Sequence, residues 1–145
     1  MCDSTASIGA CLCAVSGYCN RCDRLVGLDG VHVTAVVEAA DRRGRRLLQV
    51  SVESASVPVG CPACGAVSAS HGRRSVTLVD TPCFGIPVRL LWWKRAWRCP
   101  TDLCGASFTE QDGEIALARA LLTRRACWWA IGQIRRENAS VSGIA

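Results

Sequence analysis

Two close cysteine pairs constrain this chain more than anything else in it: Cys61-Pro62-Ala63-Cys64-Gly65 and Cys99-Pro100-Thr101-Asp102-Leu103-Cys104. Each pair sits in a turn, and a hairpin's length of sequence lies between them. A C-x2-C turn can aim two sulfurs at one ion, and Zn2+ takes four such ligands in a tetrahedron. Pro62 fixes the first turn, and Gly65 tolerates the positive φ that often follows it. The wider gap of the second pair is still within the spacing that metal-binding turns use. Disulfides would need an oxidising compartment, to which nothing in the sequence directs the chain. A catalytic zinc keeps one position open for water, whereas four thiolates fill the shell. His71 is the only histidine nearby. The spacing therefore predicts one structural Zn2+ held by Cys61, Cys64, Cys99 and Cys104.

Eleven cysteines in 145 residues would suggest a disulfide scaffold in a secreted chain. Residues 1–20 lack the basic start and sustained apolar run of a secretory signal. No stretch reaches the ~20 apolar residues of a membrane span. A cytoplasmic chain with reduced thiols is expected. Its net charge of +5 is unevenly spread: residues 1–60 are balanced, and the basic excess lies in 61–145. That bias favours a polyanion such as nucleic acid. Arginine supplies all of the basic side chains except Lys94.

Four segments follow. Residues 1–20 read as a flexible lead-in. Here Cys11, Cys13, Cys19 and Cys22 have the spacing C-x-C-x5-C-x2-C. They read as incidental small residues, with Cys22 packing as an apolar side chain, since no turn or hairpin supports the first pair; ligation of a second metal is the alternative. Residues 21–58 read as a β-hairpin, with Val31–Ala39 and Leu47–Val57 as strands around Asp41-Arg42-Arg43-Gly44-Arg45-Arg46. That arginine cluster reads as a solvated tip, with phosphate contact the alternative.

Residues 59–111 read as a zinc-ribbon-like module, with Ser75–Asp80 and Pro87–Trp97 as strands. Val88, Leu90 and Trp92 share one face of the second strand; Arg89, Leu91, Trp93, Arg95 and Trp97 share the other. Cations and indoles together can grip phosphate and stack on bases, or pack on one another as cation–π pairs. Residues 112–145 read as helical. Thr109 and Asp112 form a capping box before Ile115, Ala118, Leu121 and Leu122, and Thr123 caps a second helix through Ala126, Trp129, Ala130 and Ile134. The expected fold class is α+β, a small β-hairpin and zinc-ribbon-like module followed by a short helical tail. The candidate nucleic-acid-binding residues are Arg73, Arg74, Lys94, Arg95, Arg98, Arg124, Arg125, Arg135 and Arg136. For the helical arginines, a solvated face is the equal alternative.

Taken in order, these landmarks resemble the N-terminal zinc-finger region of bacterial insertion-sequence transposases of the DDE class. The resemblance begins at Leu25-Val26-Gly27-Leu28 and continues through the first knuckle to His71 with Arg73-Arg74. It then takes in Asp80-Thr81-Pro82 with Gly85, and Trp97-Arg98-Cys99 leading into Phe108-Thr109-Glu110. It closes on Leu122-Thr123-Arg124-Arg125-Ala126 and Ser142-Gly143-Ile144-Ala145. The resemblance implies recognition of the ends of a mobile element in double-stranded DNA, a nucleoid-associated location and possible homo-oligomerisation. In that family a downstream RNase H-like domain carries three metal-binding carboxylates. Nothing in this sequence resembles it, so the chain is expected to be a truncated, non-catalytic part. The other reading of the same features is a zinc module for protein–protein interaction.

Overall fold

The computed structural model describes residues 18–137. It is mixed α and β: a five-stranded, mostly antiparallel sheet with two helices. Helix α1 (Asn20–Val26) leads into β1 (Val31–Ala40) and β2 (Arg46–Ser54). Strands β3 (Ala69–Cys83) and β4 (Ile86–Arg98) follow, then the short β5 (Ser107–Thr109) and helix α2 (Arg124–Glu137). Lateral order is β1-β2-β4-β3, with β5 pairing the far end of β4.

The two hairpins form as their turns dictate. Asp41 organises the β1–β2 turn: its carboxylate accepts the Arg43 and Arg45 N–H groups and pairs with the Arg45 guanidinium at 2.7 Å. The Arg45 backbone bond, then its side chain, holds the Asp41 carboxyl down to about 2. Arg46 pairs with Glu38 across the strands. Much of the arginine cluster thus serves the turn itself. The β3–β4 turn is two residues long, Phe84 and Gly85, both at positive φ (49° and 76°). That backbone matches the twist of a two-residue hairpin.

Sequence reading treated 21–58 and 59–111 as separate modules; they share one sheet. After β2 the chain turns through the first knuckle, runs out along β3 and returns along β4. It thereby lays β4 parallel to β2, with Leu48 opposite Val88 and Val52 opposite Trp92. One core results, containing Val31, Val33, Val50, Val52, Leu78, Val88, Leu90, Trp92, Ile115 and Ala116. Val26 and Leu28 pack against it from the α1 side. Trp92 is fully enclosed because its indole N–H finds the Ser54 hydroxyl at 3.0 Å, which removes the cost of an unsatisfied buried donor.

Helix α1 lies partly inside the stretch taken as lead-in and hairpin. Its N-cap is Cys19, whose sulfur accepts the Cys22 N–H, and Gly27 ends it in the left-handed conformation. Asp23 binds it to β1, accepting from Val33 N–H at 2.7 Å and meeting His32 at 2.9 Å. Cys11 and Cys13 fall outside the described residues, as do Ser142 to Ala145.

The helix expected from residue 112 does not form. Thr109 belongs to β5 opposite Ala96, so it caps nothing. Asp112 instead closes a turn by accepting the Glu114 N–H, and Arg119 takes a positive φ of 62°. Ile115 and its neighbour Ala116 are buried in the core from this irregular segment, while Leu117 and Leu121 are exposed. Helix α2 starts only after Thr123.

Asp80, near the end of β3, fixes that start. Its carboxylate accepts from the Thr123 hydroxyl at 2.7 Å, from Arg125 Nε at 2.8 Å and from the Thr81 N–H, and a second Arg125 nitrogen completes a bidentate pair. Val79 exchanges backbone bonds with Leu121 and Thr123. Arg125 also donates to the Val26 carbonyl, tying the end of α1 to the start of α2. Burial pushes the Asp80 carboxyl up, but the Arg125 and Thr123 bonds outweigh it and hold it below its usual value. Its ionised form therefore stabilises the fold fully above the unfolded carboxyl value of about 3.9, and loses that contribution as pH falls through the lower folded value. Asp80→Ala is expected to cost about 2–4 kcal/mol at neutral pH, because it strands Arg125 and Thr123. Urea unfolding at pH 7 and at pH 3 checks this: the gap between variant and parent must narrow at the lower pH.

Candidate metal centre and its arginine surround

The four predicted cysteines converge. The sulfurs of Cys61, Cys64, Cys99 and Cys104 all lie within 4.8 Å of one another. Across the knuckles, Cys61 and Cys104 are 3.7 Å apart and Cys64 and Cys99 are 3.4 Å apart. Four sulfurs at about 2.3 Å from a tetrahedral zinc would be separated by about 3.8 Å, so the cluster fits such an ion. These separations are far longer than a disulfide bond of about 2.05 Å. Cys61 and Cys99 are buried, Cys104 is half-buried and Cys64 is exposed.

Local backbone geometry explains the convergence. In the first knuckle Gly65 N–H donates to the Cys61 carbonyl, and Cys61 N–H donates to Ala66 O. In the second, Cys104 and Gly105 N–H groups both donate to the Thr101 carbonyl, and Cys99 N–H donates to Ala106 O. Each turn thus ends in Cys-Gly-Ala, with the glycine at positive φ (78° at Gly65, 54° at Gly105). Strand pairing then brings the turns together: Gly60 bridges Val67 beside the first, and β3 and β4 run side by side from Ala69 and Arg98. The thiols differ in character. The Thr101 hydroxyl, with its backbone N–H, draws Cys99 down to about 7. For Cys104, the Ala106 backbone pulls the other way, but the Cys64 and Cys61 sulfurs and burial prevail and raise it to about 11. Thr101 was not singled out from sequence, although a hydroxyl two residues past a ligand cysteine is well placed to support it.

The nine candidate nucleic-acid residues divide. Lys94 is a correction: only 7% exposed, it donates to Gln111 at 3.0 Å and lies 4.5 Å over the Trp92 ring. Burial lowers its ammonium below the usual value, with Glu110 opposing. Arg125 is held by Asp80, as above. Arg73 pairs with the buried carboxylate of Glu53, which Tyr18 also meets. Arg95 donates to the Ser54 carbonyl at 3.2 Å, and its backbone N–H to Glu110. Arg124 pairs with Glu114 at 2.6 Å on the surface. Arg74, Arg98, Arg135 and Arg136 are exposed and pair with no acid among the described residues.

The indoles divide as well. Trp97 is buried, whereas Trp93 is 38% exposed on the mixed face with Arg89 and Leu91. In β4, burial follows even positions from Val88 to Lys94, then switches to Trp97 and Cys99. The switch falls where β5 replaces β2 at the strand's edge. Sequence periodicity could not announce it. Beside the second knuckle a polar cleft of about 340 Å³ is lined by Ser70, His71, Arg98, Thr101 and Asp102, among others. Among the described residues, the cysteine cluster is the only set of three or more His, Cys, Asp or Glu side chains able to share a metal, and no helix is long and apolar enough to cross a membrane.

If the sulfurs hold a metal, Cys64→Ser is expected to weaken it by more than the roughly 10–100-fold that loss of a supporting partner costs, and Thr101→Ala by about 10-fold. Affinity must also fall with pH, since each ligand binds as thiolate. Competition with a chromophoric zinc chelator at pH 6 and pH 8 measures both effects. No family model, curated protein or solved structure matches this chain.

Proposed function

We propose that the chain is the zinc-holding, DNA-binding part of a DDE-class insertion-sequence transposase, one that recognises element ends and carries no catalytic step itself. The observation that carries this reading is the four-sulfur cluster, with Arg98 directly before Cys99 and exposed without an acidic partner among the described residues. The ion is one structural Zn2+, since four thiolates leave no open position. Arg74, Arg98, Arg135 and Arg136 supply the phosphate contacts. Trp93, exposed on β4, offers a stacking surface. The contact between two landmarks of the resemblance also supports it: Asp80 of Asp80-Thr81-Pro82 binds Thr123 and Arg125 of Leu122-Thr123-Arg124-Arg125-Ala126. A nucleoid-associated location in the bacterial cytoplasm follows from this reading.

A second reading, a protein-interaction module, draws on α2, where Trp128, Ile131 and Ile134 are exposed. One experiment separates the two. The zinc-loaded protein is titrated against duplexes carrying an element's terminal repeats and against scrambled duplexes, at two salt concentrations. Preference for the repeats, weakening as salt rises, is expected. Arg74→Glu with Arg98→Glu should reduce affinity for both duplexes and lower the salt slope by about 2. Absence of binding at either salt concentration would overturn the DNA reading in favour of the interaction module.

A further inference from the structure

Phosphate contacts position a protein on a duplex but carry no sequence information; sequence is distinguished by groups that reach base edges. The second knuckle carries such groups, because it is longer than metal binding needs. In the first knuckle the turn closes from the Gly65 N–H to the carbonyl of the ligand Cys61. In the second, the equivalent bond runs from the Gly105 N–H to Thr101, which lies beyond the ligand Cys99 in the chain. A cleft of about 340 Å³ is lined by this longer loop, through Thr101 and Asp102, and by Ser70, His71 and Arg98 of the adjoining strands. No residue of the first knuckle lines it.

The polar side chains of the cleft are uncommitted. Ser70, His71, Arg98 and Asp102 are all exposed, and none makes a side-chain hydrogen bond or ion pair with another described residue. Thr101 is the exception, its hydroxyl serving the Cys99 sulfur. The freedom of Asp102 sets it apart from most acids of the chain. Asp23, Asp41, Glu53, Asp80 and Glu110 are each held by a backbone N–H, a hydroxyl or a guanidinium.

A free acid is out of place on a surface made for phosphate alone. Carboxylate and phosphate oxygens are both acceptors, so they repel and cannot hydrogen-bond. Base edges differ. In the major groove a G·C pair presents the cytosine N4 amino donor beside the guanine O6 and N7 acceptors. The cleft holds the complement: one acceptor in Asp102, with donors in Ser70 and His71. Arg98, lining the same cleft, is left for the adjoining phosphate.

We propose that Asp102 reads sequence, accepting from the amino group of a cytosine in the major groove while Arg98 holds a neighbouring phosphate. Ser70 and His71 donate to the guanine of the same pair. This rests on the DNA-binding reading and adds to it the residue that selects a base.

The test is selection by the zinc-loaded full chain from a library of DNA duplexes randomised at their centre. The selected duplex and its single-position variants are then titrated. The parent chain is expected to enrich a G·C pair at one position and to lose about 10-fold in affinity when that pair is replaced. Asp102→Ala should remove the preference at that position and leave preferences elsewhere in place. Asp102→Asn should redirect it towards adenine, whose N6 and N7 an amide binds bidentately. Asp102 is exposed and bonds to none of the described residues, so neither substitution removes a contact of the fold. The same enriched sequence in the parent and both variants would overturn the proposal, as would duplex binding with no preferred pair. In either case binding itself persists, and the DNA-binding reading stands. Absence of binding to any duplex would overturn both.

Discussion

The end of the β3–β4 ribbon beside the cysteines has almost no hydrophobic core, and that makes the sulfur cluster the interaction on which this region depends. Every side chain from Ala69 to Ser75 on β3 is exposed. The opposing part of β4 contributes Lys94 and Trp97 to burial, with Cys99 just beyond its end, too little to hold two long strands and two turns in register. Small modules in that position need a staple, and a bound metal ion is one of the few available. The four sulfurs are placed to hold one, drawing together residues 43 and 35 positions apart. They close the same end of the ribbon that the knuckle backbone bonds and the Ala69–Arg98 pairing shape.

The opposite end is fastened by a different device. Asp80 and Arg125 form a bidentate pair with almost no solvent reaching the carboxylate, and Thr123 adds a hydroxyl that is itself fully buried. Such pairs contribute modest net stability, since desolvation offsets much of the attraction. What they do well is define one arrangement. With Arg125 also reaching Val26, the end of α1, the last turns of β3 and the start of α2 can meet in only one way. The ribbon thus hangs between a sulfur clamp and an ionic clamp, with the Val52–Leu90–Trp92 core between them.

The sulfur clamp was legible in the sequence because a knuckle is local: cysteine spacing, proline and glycine lie within a few residues. The strands were legible for the same reason, through alternation and turn residues. The parallel pairing of β2 with β4 was not, because Leu48 meeting Val88 is decided by packing between segments and leaves no local periodic trace. Helix α1 escaped notice because seven residues carry too little period. The false helix after residue 112 had the right caps and spacing, yet Asp112 spent its carboxylate on a tight turn and Glu110 bracketed Arg95 instead. Lys94 misled through composition. A lysine beside arginines and tryptophans looks like a surface group, whereas this one is buried, with its ammonium over the Trp92 ring and donating to Gln111.

The fate of the arginines bears most directly on function. Those with an acid in reach are committed to the fold: Arg45 and Arg46 in the first hairpin, Arg73 with Glu53, Arg124 with Glu114 and Arg125 with Asp80. Arg74, Arg98, Arg135 and Arg136 have none among the described residues, so their charge is available to something outside it. On α2 the same separation holds for apolar groups. Its first turn is anchored by Thr123, Arg125 and Ala126, while Trp128 stays 64% exposed and Ile131 and Ile134 remain accessible. A helix of 14 residues is marginal in water without a packed face. The outward face of α2 is thus both cationic, through Arg135 and Arg136, and apolar, through Trp128, Ile131 and Ile134. Nothing in the packing of the sheet requires that combination, so it is on this helix that the two proposed readings, phosphate contact and protein contact, compete for the same side chains.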